Sequence, residues 1–127
     1  MPSPAAIDST VFLHPGQLFT TQSPVSVKTI LGSCLAVTMR APRLGLAAMA
    51  HCLLPSAGVS SSALSEAEAL RYVDSAIEFM LRSFAARGVA REELEIKLFG
   101  GAGRSGLAWY HVGQRNVATA ERVLATY

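Results

Sequence analysis

Apolar positions change their period along this chain, and the changes mark its elements. VFLHPGQLFTT, from Val11, reads as two short extended runs around a turn at Pro15 and Gly16, since proline and glycine punctuate a chain where it must reverse. VSVKTIL, from Val25, is rich in β-branched residues and predicts a buried strand. Gly32 and Ser33 interrupt it. CLAVTMR then resumes as a strand to Arg40, APR turns, and LGLAAMAHCLL makes a third strand-like run that ends at Pro55. The small residues SAGVSSSALS, 56 to 65, predict a mobile surface loop.

The period then lengthens. Leu70, Val73, Ile77, Met80, Leu81 and Phe84 recur at helical spacing, Ser65 and Glu68 form a capping box ahead of them, and Gly88 supplies a stop. ELEIKLF alternates charged and apolar side chains as a half-buried strand does. Glycines follow, then LAWYHV as a short strand and GQRNVATAERVLATY as a second helix. Strands, a long helix, further strands and a last helix predict an α/β fold. The expected architecture is a layered sandwich of a mixed or antiparallel sheet with helices, one domain over residues 1–127.

Composition agrees with a packed globule: 127 residues suit one domain, and 50% are hydrophobic against 16% charged. The net charge of +2 is scattered, with no basic stripe, which argues against nucleic acid as a partner. The first residues do not resemble a secretory signal, and no apolar run approaches the length of a membrane span, so no membrane insertion is expected. Two cysteines without a signal predict free thiols and a cytoplasmic setting.

The chemistry centres on Cys34, which ends the Gly-Ser break. A cysteine nucleophile needs thiolate character, a base, and donors for the oxyanion. Of His14, His51 and His111, only His51 closes the strand that follows the cysteine strand. If APR is a hairpin turn, Cys34 and His51 lie at the same edge of neighbouring strands. Thr29 is placed to accept the imidazole's second N–H and orient the ring, and the Gly32–Ser33 turn exposes backbone N–H groups for an oxyanion. The plainer alternative is a cysteine that only packs, which suits Cys52 among its apolar neighbours.

Two other sites carry less weight. GAGRSG, 101 to 106, has the spacing of a dinucleotide loop, but LAWYHV after it does not read as a helix. A zinc set of Cys34, His51, Cys52 and His111 is awkward because adjacent strand residues face opposite ways.

LGSC, HCLLP, YVDSAIEFML, KLFGGA (97 to 102) and VGQRN (112 to 116), with PGQL near the start, resemble in order and spacing the chemoreceptor glutamine deamidases of bacterial chemotaxis, the CheD family. The resemblance implies an enzyme without metal or cofactor. Its Cys-His-Thr triad, here Cys34, His51 and Thr29, converts glutamines on the cytoplasmic helical bundle of methyl-accepting receptors to glutamate and ammonia. Some members also hydrolyse glutamyl methyl esters, and some bind the phosphatase CheC. Gly32 and Ser33 would line the oxyanion turn, and Gly100, Gly101 and Arg104 are weaker candidates for substrate contact. Members usually continue past the last helix with further strands, whereas this sequence stops at Tyr127; an exposed sheet edge is the expected consequence. The alternative from another class is a non-catalytic module docking on receptors or on a CheC-type phosphatase. Faster alkylation of Cys34 than of Cys52, with a depressed thiol pKa, is expected of the enzyme.

Overall fold

The computed structural model describes residues 9–103 and 111–127. Four strands form one antiparallel sheet: β2 (Leu18–Thr21), β4 (Leu35–Ala41), β5 (Leu46–Cys52) and β6 (Glu95–Gly100), in the order β2-β5-β4-β6. A separate two-stranded sheet pairs β1 (Thr10–Phe12) with β3 (Ser26–Lys28) in parallel. The helices are α1 (Glu66–Ala69), α2 (Val73–Ala85) and α3 (Val112–Thr126). This is the α/β layered arrangement expected.

The core lies between the main sheet and the helices. Alternation along β4 and β5 sends Leu35, Val37, Met39, Leu46, Ala48, Ala50 and Cys52 to one face. There they meet Val73, Ala76, Ile77, Met80 and Phe84 of α2, with Ala120 and Val123 of α3. The β4–β5 hairpin turns through a 3-10 segment, Pro42–Leu44, and closes on Gly45, whose φ of 59° is left-handed. The opposite face carries Ala36 and His51, which are register partners.

The two short runs around the Pro15–Gly16 turn form as expected, β1 pairing with β3 and β2 with β5. Two expectations need correction. VSVKTIL is not a buried strand: only Ser26–Lys28 pairs, and Ile30 is 78% exposed, because β1 offers three paired positions and the chain then leaves the sheet. The long helix is two helices. The Ser65–Glu68 capping box forms as expected, but the backbone from Arg71 to Asp74 bonds elsewhere. Leu53 and Leu54 N–H donate to the Arg71 carbonyl, Val73 N–H donates to Leu54 O, and Asp74 N–H donates to Pro55 O. These bonds hold the chain leaving β5 against the start of α2, and a continuous helix would have to forgo them. The LAWYHV run lies, through Tyr110, outside the described residues.

Candidate active site

The end of the sheet where β4 begins and β5 finishes collects Cys34, His51 and Thr29. The pairing of Ala36 with His51 puts Cys34, two residues before Ala36, on the same face as the imidazole and one step along the strand. Cys52 points the other way into the core and is completely buried. The alternation that brings Cys34 and His51 together therefore separates His51 from Cys52.

Thr29 follows β3, and Leu13 follows β1, whose parallel pairing sets the two side by side. Leu13 N–H donates to Lys28 O, extending the pair. Thr29 Oγ1 lies 2.7 Å from Leu13 O and 2.7 Å from His51 Nδ1. A hydroxyl has one hydrogen and a carbonyl can only accept, so Thr29 donates to Leu13 O and must accept from Nδ1–H. This network assigns the tautomer: the proton sits on Nδ1, and Nε2 keeps a free lone pair. Nε2 is buried and has no hydrogen-bond partner among the described residues. A side chain 1% exposed, with one ring nitrogen fixed and the other unpaired, has the form of an oriented base waiting for a proton. Burial also holds the His51 pKa below its usual value, keeping the ring neutral at neutral pH.

Cys34 is partly buried, and that burial raises its thiol pKa; a contact from its own backbone N–H works against the rise. This reverses the depressed pKa expected of a reactive cysteine, because desolvation outweighs the backbone contact and no cation among the described residues favours the thiolate. The resting pair is thus thiol and neutral imidazole. Cys52, desolvated in the core and repelled by Cys34 and Asp74, is pushed up to about 12. The two cysteines still differ sharply in access. Iodoacetamide at mildly alkaline pH should label Cys34 at least about 10-fold faster than Cys52 in the folded chain, read by peptide mass spectrometry; equal rates would contradict this burial.

The turn before Cys34 is tied down by its carbonyls. Ala102 N–H donates to Gly32 O and Gly101 N–H to Cys34 O, both at 2.9 Å. Asn116 Nδ2 donates to Ser33 O at 2.9 Å. The N–H groups of Gly32, Ser33 and Cys34 have no backbone acceptor among the described residues, so the turn that carries the thiol keeps unengaged donors of the kind an oxyanion needs.

Gly32 itself is exposed, its φ is not left-handed, and a Cβ there would meet nothing within 4 Å. Gly100 and Gly101 differ: their φ values are 93° and 69°, and a Cβ on Gly100 would overlap the Cys34 carbonyl oxygen. Gly100 and Gly101 therefore form a strap behind the nucleophile turn, pressed between it and α3. Arg104 lies outside the described residues. Gly100→Ala is expected to cost about 2–4 kcal/mol from overlap and backbone strain, and Gly32→Ala less than about 0.5 kcal/mol; denaturant midpoints of the two variants test the contrast.

Sequence reasoning met Asn116 only as the last letter of VGQRN. The available signal was a polar residue on the buried stripe of α3, which runs Gly113, Asn116, Thr119, Ala120 and Val123.

A family model described as CheD chemotactic sensory transduction matches residues 53–127. The chain is 43% identical over 122 residues to the probable chemoreceptor glutamine deamidase CheD of Oleidesulfovibrio alaskensis, covering 91% of this chain and 57% of that protein. It is 40% identical over 119 residues to the probable deamidase of Maridesulfovibrio salexigens, covering 87% of this chain and 69% of that protein. A third protein of this kind, from Geobacter sulfurreducens, is 40% identical over 117 residues, with 91% of this chain and 69% of the relative covered. The chain thus spans between 57% and 69% of the length of these three relatives.

Proposed function

The chain belongs to the CheD family, and from that premise we propose that it is a cysteine-dependent glutamine deamidase acting in the cytoplasm on the helical bundle of methyl-accepting chemotaxis receptors. Residues 1–127 act in this reading as one deamidase domain. The observation that carries the proposal is the chain of contacts from Leu13 O through Thr29 Oγ1 to His51 Nδ1, which leaves Nε2 free as a base on the same face as Cys34.

The reaction follows from that state. Because burial raises the thiol pKa and lowers that of the imidazole, no thiolate is stored at rest. The Cys34 proton passes to His51 Nε2 as sulfur attacks the carboxamide carbon, and the hydrogen bond between them forms in the reacting complex. The tetrahedral oxyanion is met by the free N–H groups of the Ser33–Cys34 turn. The imidazolium, its Nδ1–H held by Thr29, gives its proton to the departing nitrogen, which leaves as ammonia, and a thioester remains on Cys34. Water, losing a proton to Nε2, attacks the thioester carbon; the sulfur leaves and regains the proton, and glutamate is released. With methanol as the leaving group the same steps cleave a glutamyl methyl ester.

A CheC-type phosphatase is the second partner in this proposal, one whose addition should slow deamidation. The deciding experiment incubates a receptor cytoplasmic fragment with the chain or with Cys34→Ala and follows amide-to-acid conversion at each glutamine by mass spectrometry. Conversion by the native chain alone supports the proposal. Binding of the fragment without conversion would identify a non-catalytic docking module instead.

A further inference from the structure

Asn116 is completely buried on α3, yet its side chain bonds to nothing on its own helix. Its Nδ2 lies 2.9 Å from Ser33 O and 3.1 Å from Leu53 O. Both neighbours are carbonyl oxygens, so the atom facing them must be the amide nitrogen, and the two hydrogens are fully used. The Oδ1 atom is buried without a partner among the described residues. A buried polar atom left unpaired costs stability, so this residue is held at a cost that packing alone does not explain.

The two carbonyls belong to the segments that bear the proposed nucleophile and base. Register extrapolated one step past the Leu35–Cys52 pair sets Cys34 opposite Leu53. At that point the strands diverge: Leu53 N–H turns away to Arg71 O. The Asn116 amide bridges the opening where the ladder stops. The Ser33–Cys34 peptide is trans, so its C=O and N–H point in opposite directions. With the carbonyl pinned towards Asn116, the Cys34 N–H is turned away from α3. It has no backbone acceptor among the described residues, and it lies close enough to its own sulfur to favour the thiolate.

We propose that Asn116 is a positioning residue for the reaction, which, by clamping the Ser33 and Leu53 carbonyls across the end of the β4–β5 hairpin, holds the Cys34 backbone N–H where the oxyanion develops. The inference rests on the assignment of Cys34 as the nucleophile. Deleting an oxyanion donor outright costs about 100- to 1000-fold in kcat; here the donor stays and only its orientation loosens, so a loss of about 10- to 100-fold is expected, with KM changed by less than about threefold.

Alkylation separates orientation from general damage. Attack on iodoacetamide displaces iodide without forming an oxyanion, so it reads thiolate character and access alone. Asn116→Ala and Asn116→Asp are compared with the native chain and Cys34→Ala for deamidation of a receptor fragment and for Cys34 alkylation. Asn116→Asp keeps the shape but cannot supply two donated hydrogens, so it serves if the alanine variant fails to fold. The expected result is a 10- to 100-fold fall in kcat with alkylation within about threefold of native. Equal falls in both rates, or unchanged deamidation, would overturn the inference while leaving Cys34 as nucleophile. Full deamidation by Cys34→Ala would overturn the nucleophile assignment and this inference together.

Discussion

Cys34→Ala is expected to lose deamidation by at least about 10⁴-fold while keeping the native fold and receptor binding. The sulfur is the only protein atom in the proposed scheme that forms a covalent bond to substrate, and no second thiol can replace it. Cys52 is adjacent in the sheet but faces the core, fully buried and with a pKa pushed up to about 12. The side chain of Cys34 is only partly buried at the start of β4, so its truncation should shift the thermal midpoint little. Residual turnover near the native rate would move the chemistry away from this turn. An intact melt with no turnover and undiminished binding would place the loss on the chemical step.

His51→Gln is the second large effect, with an expected loss of about 10²- to 10⁴-fold in kcat, the usual worth of a positioned general base. The double variant Cys34→Ala/His51→Gln should be no worse than Cys34→Ala alone, since the two act as one unit. The pH dependence follows from the direction of the shift. Burial favours neutral His51, so its folded pKa lies below the usual value of about 6.5. The base therefore stays competent somewhat below pH 6.5, and kcat/KM falls only as the folded pKa is passed. Stability follows the same sign. Between the folded and unfolded pKa values the unfolded chain binds the extra proton, so stability is full above about pH 6.5 and is lost as pH falls through the folded value. Denaturant midpoints from pH 7 downwards should show that decline in the native chain and a shallower one in His51→Gln. An unchanged slope would mean that His51 is not the group responsible.

The glycines divide on local geometry that composition does not reveal. Gly32 beside the nucleophile has room for a side chain, whereas Gly100, sixty-eight positions away in sequence, is pressed against the Cys34 carbonyl. A sequence reading places both in turns and has no means of telling an open bend from a crowded strap. The helix break at Leu70–Tyr72 was hidden for a similar reason. The apolar period continues through it, and only the bonds between Arg71–Asp74 and Leu53–Pro55 replace helical ones there. VSVKTIL misled in the opposite direction, because β-branched residues favour strands wherever a partner is available and β1 supplies only three positions.

By itself the sequence determined what depends on neighbours along the chain. Alternation in CLAVTMR and LGLAAMAHC, with a short turn between them, makes an antiparallel hairpin, and the two-residue period of its strands places Cys34 and His51 on one face at one end. The Ser65–Glu68 cap, the apolar stripe of α2 and the presence of the last helix were legible on the same grounds. Tertiary structure alone decided the rest. The tautomer of His51 depends on Leu13 O, a backbone atom brought to Thr29 by the parallel pairing of β1 with β3. The raised thiol pKa depends on the desolvation of Cys34 by the segments packed around it. The clamp on the Ser33 carbonyl comes from Asn116, eighty-three residues away. Each of these rests on a contact between segments far apart in the chain, where periodicity and propensity carry no information about which atoms will meet.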